Sequence, residues 1–170
     1  LSMFANQWLG CTDPGQPGCT NPGARVRIIA HRGNSSEAPE NTTVSCLAAR
    51  GLADMTEMDT RTTADGYLVL FHDNELDRLA GTAGRIEDLT LEEVAGLEVG
   101  SWFSPDFAGE PVPTLREALM AAHPDLIPVV ERKTGTPEQH ADVIRRLGIE
   151  SEVVVIAFDW DWLEEFKELI

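Results

Sequence analysis

Short strand-like stretches alternate with helical stretches along most of this chain, and that alternation restricts the fold more than any other feature. Helix-capping patterns stand before amphipathic stretches, for example at Thr114 and Thr136. Short buried strands that alternate with helices pair in parallel and form α/β folds. We predict five strands, at about residues 25–31, 54–61, 67–73, 126–133 and 152–158.

Length, composition and charge exclude several classes of protein. The 170 residues, 42% of them hydrophobic, suffice for one domain with a core. No apolar run reaches the ~18 residues of a membrane-spanning helix, so we predict no integral membrane segment. A net charge of -16 repels nucleic acid and anionic lipid surfaces. An anionic substrate would therefore need a local positive site, built from a few cations or a metal ion.

The first part of the chain differs in composition from the rest. Residues 1–24 are rich in Pro, Gly and Asn, and we expect an extended surface arm that precedes a single domain at 25–170. Cys11 and Cys19 flank a turn-rich loop that could close a disulfide in an oxidising compartment. This pattern favours export to the periplasm or the extracellular space, and it leaves a cytoplasmic location open.

A long connection, residues 74–113, follows the third predicted strand. Thr90 and Glu93 form a capping box that predicts a short helix over 91–97. An aromatic-rich loop follows at residues 100–110. Connections longer than about 15 residues are commonly lids or binding loops in compact domains.

Two carboxylates stand on the second predicted strand. Glu57 and Asp59 are two residues apart, so strand geometry places both on one face, at ~6–7 Å spacing. Such a pair repels unless a cation lies between the two groups, and ligation by oxygen alone suits Ca²⁺ or Mg²⁺. The alternative is a pair of solvated acids on an edge strand, which is common in an acidic chain.

Other strand ends also carry groups with chemical potential. The first strand ends in His31 and Arg32, and the fourth carries Glu131 and Lys133 on one face. Glu131 could be a third metal ligand and Lys133 a phosphate contact, or the two could form a simple surface ion pair. His72 ends the third strand, where a satisfied core histidine is the alternative. We expect His123 and His140 to be exposed.

These groups together indicate a reaction. Active sites of parallel α/β barrels assemble at the C-terminal ends of the strands. Four successive strand ends here carry two candidate proton-transfer groups, three oxygen ligands and two cations. That set is suited to metal-assisted cleavage of a phosphodiester.

The sequence also resembles the glycerophosphodiester phosphodiesterase family, within the wider phospholipase-C-like phosphodiesterase superfamily. The resemblance covers about residues 25–170, and the segment 74–113 is similar to the insertion that is characteristic of the family. The matching motifs occur in the family's order: His31-Arg32-Gly33, Ala38-Pro39-Glu40-Asn41-Thr42, Glu57-Met58-Asp59, Phe71-His72-Asp73, Pro113-Thr114-Leu115 and Glu131-Arg132-Lys133.

The resemblance implies a TIM (β/α)8-type barrel that holds a divalent metal, Ca²⁺ or Mg²⁺. It also implies roles for individual residues, while Glu40 and Asn41 would shape their loop and cap the first helix. By this similarity the metal ligands would be Glu57, Asp59 and Glu131, the general acid/base pair His31 and His72, and the phosphate contacts Arg32 and Lys133.

The family reaction implied here has two steps. A glycerol hydroxyl attacks the phosphorus to give a cyclic phosphate, and water then opens it. The products would be glycerol 3-phosphate and an alcohol such as choline or ethanolamine, from a small-molecule glycerophosphodiester. Two alternatives stay open: a phosphodiesterase or lyase resembling sphingomyelinase D, and a non-catalytic phosphodiester-binding fragment.

One feature departs from the family pattern. A TIM barrel usually has eight strands and about 250 residues, and we count about five strands in this sequence. We therefore interpret the chain as an incomplete barrel that lacks its last three strands. The choice of metal, the preferred head group and the oligomeric state stay undecided by the sequence.

Overall fold

The computed structural model describes residues 26–170, so the predicted arm at 1–24 and the pair Cys11 and Cys19 lie outside the described residues. Within the described range there are five strands, six α-helices and two short 3-10 helices, at Ile86–Asp88 and Pro105–Phe107. The strands are β1 Ile29–Ala30, β2 Met55–Thr62, β3 Leu68–Leu70, β4 Ile127–Arg132 and β5 Val154–Ala157. The helices are α1 Thr43–Ala48, α2 Asp77–Ala80, α3 Leu91–Val94, α4 Leu115–Ala122, α5 Pro137–Leu147 and α6 Trp160–Leu169.

Helix starts follow the capping residues that the sequence predicts. Thr90, Thr114 and Thr136 cap α3, α4 and α5, and each forms a complete capping box with the residue three positions later. α1 differs slightly from the prediction, because Thr42 rather than Asn41 is its N-cap. Asn41 has a different role, described below.

Four of the strands form a parallel sheet in the order β1-β2-β4-β5. The register places Asp59 of β2 beside Glu131 of β4, and Glu131 beside Ile156 of β5. Side chains alternate between the two faces of each strand. One face therefore carries Glu57, Asp59 and Glu131, while Met58 and Val130 point the opposite way.

The longer helices α4, α5 and α6 cover the face that carries Met58 and Val130. Both residues are fully buried in a core with the apolar residues of α4 and α5. α6 adds Trp162 and Phe166 to the same core. The carboxylates lie on the face opposite these three helices.

The third strand departs from the prediction. β3 pairs with β2 in the antiparallel sense, with Leu70 beside Thr60 and Leu68 beside Thr62. The expected parallel pairing of this strand is wrong, because the connection from β2 is too short for the crossover that parallel strands need. Four parallel strands and one antiparallel strand are thus present in residues 26–170.

The predicted insertion packs on β3. Val69 and Phe71 contribute to a second apolar cluster, whose other buried members come from residues 76–112. The short helix predicted over 91–97 is present but ends at Val94. The segment therefore has a small core of its own, beside the main one.

The outer strands of the parallel sheet expose apolar side chains. Within the described chain, β1 and β5 each pair with one neighbouring strand. Ile28 and Ile29 are 56% and 50% exposed, and Phe158, just after β5, is 90% exposed.

No helix in residues 26–170 is long and apolar enough to cross a membrane.

His140 is buried, contrary to the prediction that it is exposed. It lies on the sheet-facing side of α5, where Nε2 is 2.9 Å from the Thr60 hydroxyl and Nδ1 is 3.0 Å from the Thr136 carbonyl oxygen. Its ring also contacts Trp162 edge-on. Two polar partners allow a neutral imidazole to be buried at little cost.

This burial predicts a pH dependence of stability. Desolvation lowers the pKa of His140 to about 4, from an ordinary value of 6.5. As pH falls, the unfolded chain therefore binds a proton at this histidine before the folded chain does. The contribution of the buried neutral ring to the free energy of unfolding is complete above pH ~6.5, and it decreases by up to about 3 kcal/mol toward pH ~4. The free energy of unfolding, measured by urea denaturation at several pH values in this range, should fall less steeply with decreasing pH in His140→Gln than in wild type. Equal slopes would contradict the prediction.

Candidate active site

Three carboxylates meet on the face of the sheet opposite α4, α5 and α6. Glu57 and Asp59 lie on β2 and Glu131 lies beside Asp59 on β4. One carboxylate oxygen from each residue lies within 4.8 Å of the others, so the three residues could hold a metal ion. The structure therefore brings together all three metal ligands that the sequence suggested.

Glu57 gives the clearest indication that this group fits a cation. Its Oε2 accepts a hydrogen bond from the Arg32 backbone N–H at 2.9 Å, whereas its buried Oε1 has no hydrogen-bond partner in the described structure. Burial, followed by the nearby charge of Asp59, raises the pKa of Glu57 to about 7. A divalent ion bound by oxygen ligands would satisfy Oε1 and offset this repulsion.

Two cations border the carboxylates. The Arg32 Nε lies 3.3 Å from Asp59 Oδ2, and the Lys133 Nζ lies 3.1 Å from Asp59 Oδ1 and also contacts Glu131. Burial opposes the charged amine, but the hydrogen bonds to Glu131 and Asp59 dominate and raise the pKa of Lys133. Lys133 is therefore cationic at neutral pH, beside an arginine that is always charged.

The loop after β1 holds Arg32 by an uncommon backbone conformation. Arg32 has a φ of 59°, which aims its N–H at Glu57, and its carbonyl oxygen accepts a hydrogen bond from the Ser45 hydroxyl at 3.0 Å. A side chain at Gly33, whose φ is 79°, would place its Cβ 2.5 Å from the Ser45 carbonyl carbon. Glycine at this position thus permits the close approach of the loop to α1.

Asn41 is a site residue whose role the sequence analysis missed. Its amide nitrogen donates to Asp59 Oδ2 at 2.9 Å, and its side-chain oxygen accepts the Asp59 backbone N–H at 3.0 Å. The amide fixes the carboxylate, while Thr42 caps the helix. The sequence feature that could have indicated this role is the Glu40-Asn41 pair. The sequence analysis expected these two residues only to shape their loop and to cap the first helix.

The two predicted acid/base histidines occupy different surroundings. His31 is largely exposed, and its Nε2 lies 3.9 Å from Glu57 Oε2. His72 has its Nδ1 2.7 Å from the Asp73 carboxylate. The antiparallel course of β3 returns the chain to the level of Asp59, whose carbonyl oxygen accepts the Phe71 N–H at 3.1 Å.

Arg61 is a second residue that sequence reasoning missed. It lies on the same face of β2 as Glu57 and Asp59, and its guanidinium donates to the His72 carbonyl oxygen at 2.9 and 3.2 Å. It also bonds Asn74 and Glu87. Arg61 thus anchors the backbone of the segment that carries His72. Its position two residues after Asp59, on the same face of the strand, is the sequence feature that could have identified it.

The fold and these residues define a class of protein. Three carboxylates on the parallel strands β2 and β4 lie beside two cations, and the two histidines follow β1 and β3. This is the arrangement of a barrel-type site directed at a metal ion and an anionic group such as phosphate.

The chain belongs to the glycerophosphoryl diester phosphodiesterase family, whose model matches residues 31–167. It is 35% identical over 153 residues to a glycerophosphodiester phosphodiesterase of Caldanaerobacter subterraneus, covering 85% of this chain and 63% of that protein. It is 32% identical to one from Bacillus subtilis, covering 85% of this chain and 56% of that protein. The chain thus spans about 60% of the length of these curated relatives.

Solved structures show the same relationship. A glycerophosphodiester phosphodiesterase from Agrobacterium tumefaciens matches with a TM-score of 0.78 and 30% identity, over 85% of this chain and 63% of that chain. An Oleispira antarctica phosphodiesterase in complex with the product sn-glycerol-3-phosphate matches with a TM-score of 0.69 and 26% identity, over 85% and 72% of the two chains. The predicted fold, a TIM-type barrel present here in part, is confirmed.

Proposed function

We propose that this protein hydrolyses glycerophosphodiesters to glycerol 3-phosphate and an alcohol, with a bound Ca²⁺ or Mg²⁺. The observation that carries the proposal is the meeting of three carboxylates within 4.8 Å, with two cations on Asp59. An acidic chain that binds an anionic substrate needs such a local site. Membership of the glycerophosphoryl diester phosphodiesterase family supports this reaction over other phosphoryl chemistry.

Glu57, Asp59 and Glu131 are the residues that would hold the metal. A bound divalent ion supplies Lewis-acid stabilisation to phosphoryl oxygens as negative charge develops on them. Asn41 keeps the Asp59 carboxylate oriented by its two hydrogen bonds. Arg32 and Lys133 lie at the border of the carboxylates, where they can contact a phosphate and offset its charge.

His31 and His72 would move the protons. In the first step one histidine removes the proton of the glycerol 2-hydroxyl, whose oxygen then attacks phosphorus. The bond from phosphorus to the departing alcohol breaks, and the other histidine protonates that alcohol. In the second step the roles reverse, water opens the cyclic phosphate, and glycerol 3-phosphate leaves. Imidazole suits both directions because it exchanges protons near neutral pH.

The substrate proposal follows from the relatives. The Caldanaerobacter and Bacillus proteins are named for glycerophosphodiesters, and the Oleispira structure holds sn-glycerol-3-phosphate. The competing hypothesis, an activity resembling sphingomyelinase D, is disfavoured by the segment 74–113 and by Pro113-Thr114-Leu115.

A comparison of two substrates tests this choice. We expect the protein to release choline and glycerol 3-phosphate from glycerophosphocholine, and to leave sphingomyelin unchanged, when Ca²⁺ or Mg²⁺ is present. Enzymatic assay of glycerol 3-phosphate and mass spectrometry of the sphingomyelin products would measure both activities. Preferential cleavage of sphingomyelin would contradict the proposal and favour the alternative.

A further inference from the structure

Arg78 lies outside the predicted site residues, yet its guanidinium joins two parts of the site. It is on α2, within the segment that follows β3. It donates to both oxygens of Asp73, with Nε to Oδ2 at 2.5 Å and Nη2 to Oδ1 at 3.1 Å. It also donates to both oxygens of Glu40, with Nη1 to Oε2 at 3.0 Å and Nη2 to Oε1 at 2.8 Å. One side chain thus holds two carboxylates from different loops.

Each of those carboxylates also contacts a residue of the proposed reaction. Asp73 Oδ1 lies 2.7 Å from His72 Nδ1, and Glu40 Oε1 accepts from Arg32 Nη1 at 2.9 Å. A continuous series of hydrogen bonds therefore runs from His72 to Arg32, the proposed phosphate contact, with Arg78 at its centre.

The charges along this series favour its geometry. The hydrogen bond from Arg78 is the main cause that lowers the pKa of Asp73 to about 2. Burial tends to raise the pKa of Glu40, but hydrogen bonds and charge from Arg78 and Arg32 lower it overall. Both carboxylates are therefore ionised at neutral pH, and paired contacts between guanidinium and carboxylate are strong and directional.

We propose that Arg78 is a positioning residue that fixes His72 and Arg32 relative to each other across the site. This inference rests on the proposed function, because it assigns Arg78 a part in that reaction. Through Asp73, Arg78 keeps a hydrogen-bond acceptor on His72 Nδ1, so that the neutral ring carries its proton there and leaves Nε2 free. Through Glu40, it holds the Arg32 guanidinium next to Asp59.

Two substitutions and one control test the proposal kinetically. Arg78→Met removes the charge but keeps an unbranched side chain beside Trp102, whose ring lies 5.6 Å from the guanidinium carbon. Arg78→Lys keeps the charge but cannot bond two carboxylates through a planar fork. Arg146→Met is the matched control, because Arg146 pairs with Asp142 at 2.9 Å on the surface of α5.

We expect Arg78→Met to lower kcat and raise KM, for a combined loss of about 10–100-fold in kcat/KM. The lower kcat reports on His72 and the higher KM on Arg32. Arg78→Lys should recover only a small part of the loss, and Arg146→Met should behave as wild type. Full recovery by lysine would show that only the charge matters and would overturn the proposed geometry.

A measurement independent of activity separates this proposal from the proposed function. The ¹⁵N chemical shifts of a neutral imidazole report which nitrogen carries the proton, and the chain has only 4 histidines to assign. At alkaline pH, wild type and Arg146→Met should show His72 protonated at Nδ1, and Arg78→Met should show a mixture of tautomers. An unchanged His72 signal in Arg78→Met overturns the proposal, even if the enzyme is active. A changed signal in a protein that cleaves no glycerophosphodiester would instead remove the proposed function alone.

Discussion

The substitution Glu57→Gln should lower metal-dependent activity by more than about 100-fold. Mutation of a residue that only hydrogen-bonds to a metal ligand already lowers activity or metal affinity by about 10–100-fold. The introduced amide would keep the size of the side chain and one oxygen, but it would lack the negative charge that a divalent cation needs. The effect should be large because Oε1 of Glu57 is a buried carboxylate oxygen that has no hydrogen-bond partner in the described structure.

Thermal unfolding distinguishes this loss from misfolding. Burial and the charge of Asp59 raise the pKa of Glu57 to about 7, so its ionised form is costly without a cation. We therefore expect the metal-free variant to be at least as stable as metal-free wild type. Added Ca²⁺ or Mg²⁺ should raise the Tm of wild type and leave the Tm of the variant unchanged. At a metal concentration of 100 times Kd, the expected stabilisation of wild type is about 2.7 kcal/mol.

Glu165→Gln is a suitable control, because Glu165 is an exposed residue of α6 remote from the carboxylate group. It should keep both the activity and the metal-dependent rise in Tm. Full activity in Glu57→Gln, or an equal metal response in the two variants, would show that these carboxylates do not hold the metal.

The substitution His72→Ala should lower kcat by about 10²–10⁴-fold, the usual cost of losing a general acid or base. His72 Nδ1 is occupied by Asp73 at 2.7 Å, so only Nε2 is available to exchange a proton with substrate. The fold should tolerate the change, because the backbone of this segment is held by Arg61.

His123→Ala provides a closely matched control. The His123 side chain is 33% exposed, like that of His72, and it also pairs with a carboxylate, Glu152, at 2.8 Å. Steady-state kinetics should show full activity for His123→Ala. A loss below about tenfold in His72→Ala would remove His72 from the proton-transfer step.

The sequence was most informative where the backbone is regular. β2 is a continuous strand, so alternation alone places Glu57 and Asp59 on one face, and parallel pairing brings Glu131 beside Asp59. The direction of β3 was also readable, although we missed it. Asp65-Gly66 lies in a short connection between two strands, which favours a hairpin over a parallel crossover.

The remaining residues of the site depend on contacts that no local pattern encodes. Arg78 reaches Glu40 across 38 positions of sequence, and Arg61 reaches the carbonyl oxygen of His72 after a strand reversal. The prediction for His140 was wrong because its partner Thr60 is far away in the chain. Such contacts follow from how loops and helices pack on the sheet, and a single sequence does not fix that packing.

The most direct test of the account is the release of glycerol 3-phosphate from glycerophosphocholine with Ca²⁺, with Mg²⁺ and with a chelator. The assay should use two forms of the protein. One is the 170-residue chain, and the other is the same chain joined to the part of the Caldanaerobacter relative that lies outside the matched 63%. We predict release that the chelator abolishes and added metal restores, in at least the longer form. Metal-stabilised protein that releases no glycerol 3-phosphate in either form would contradict the proposed hydrolysis and favour a phosphodiester-binding role.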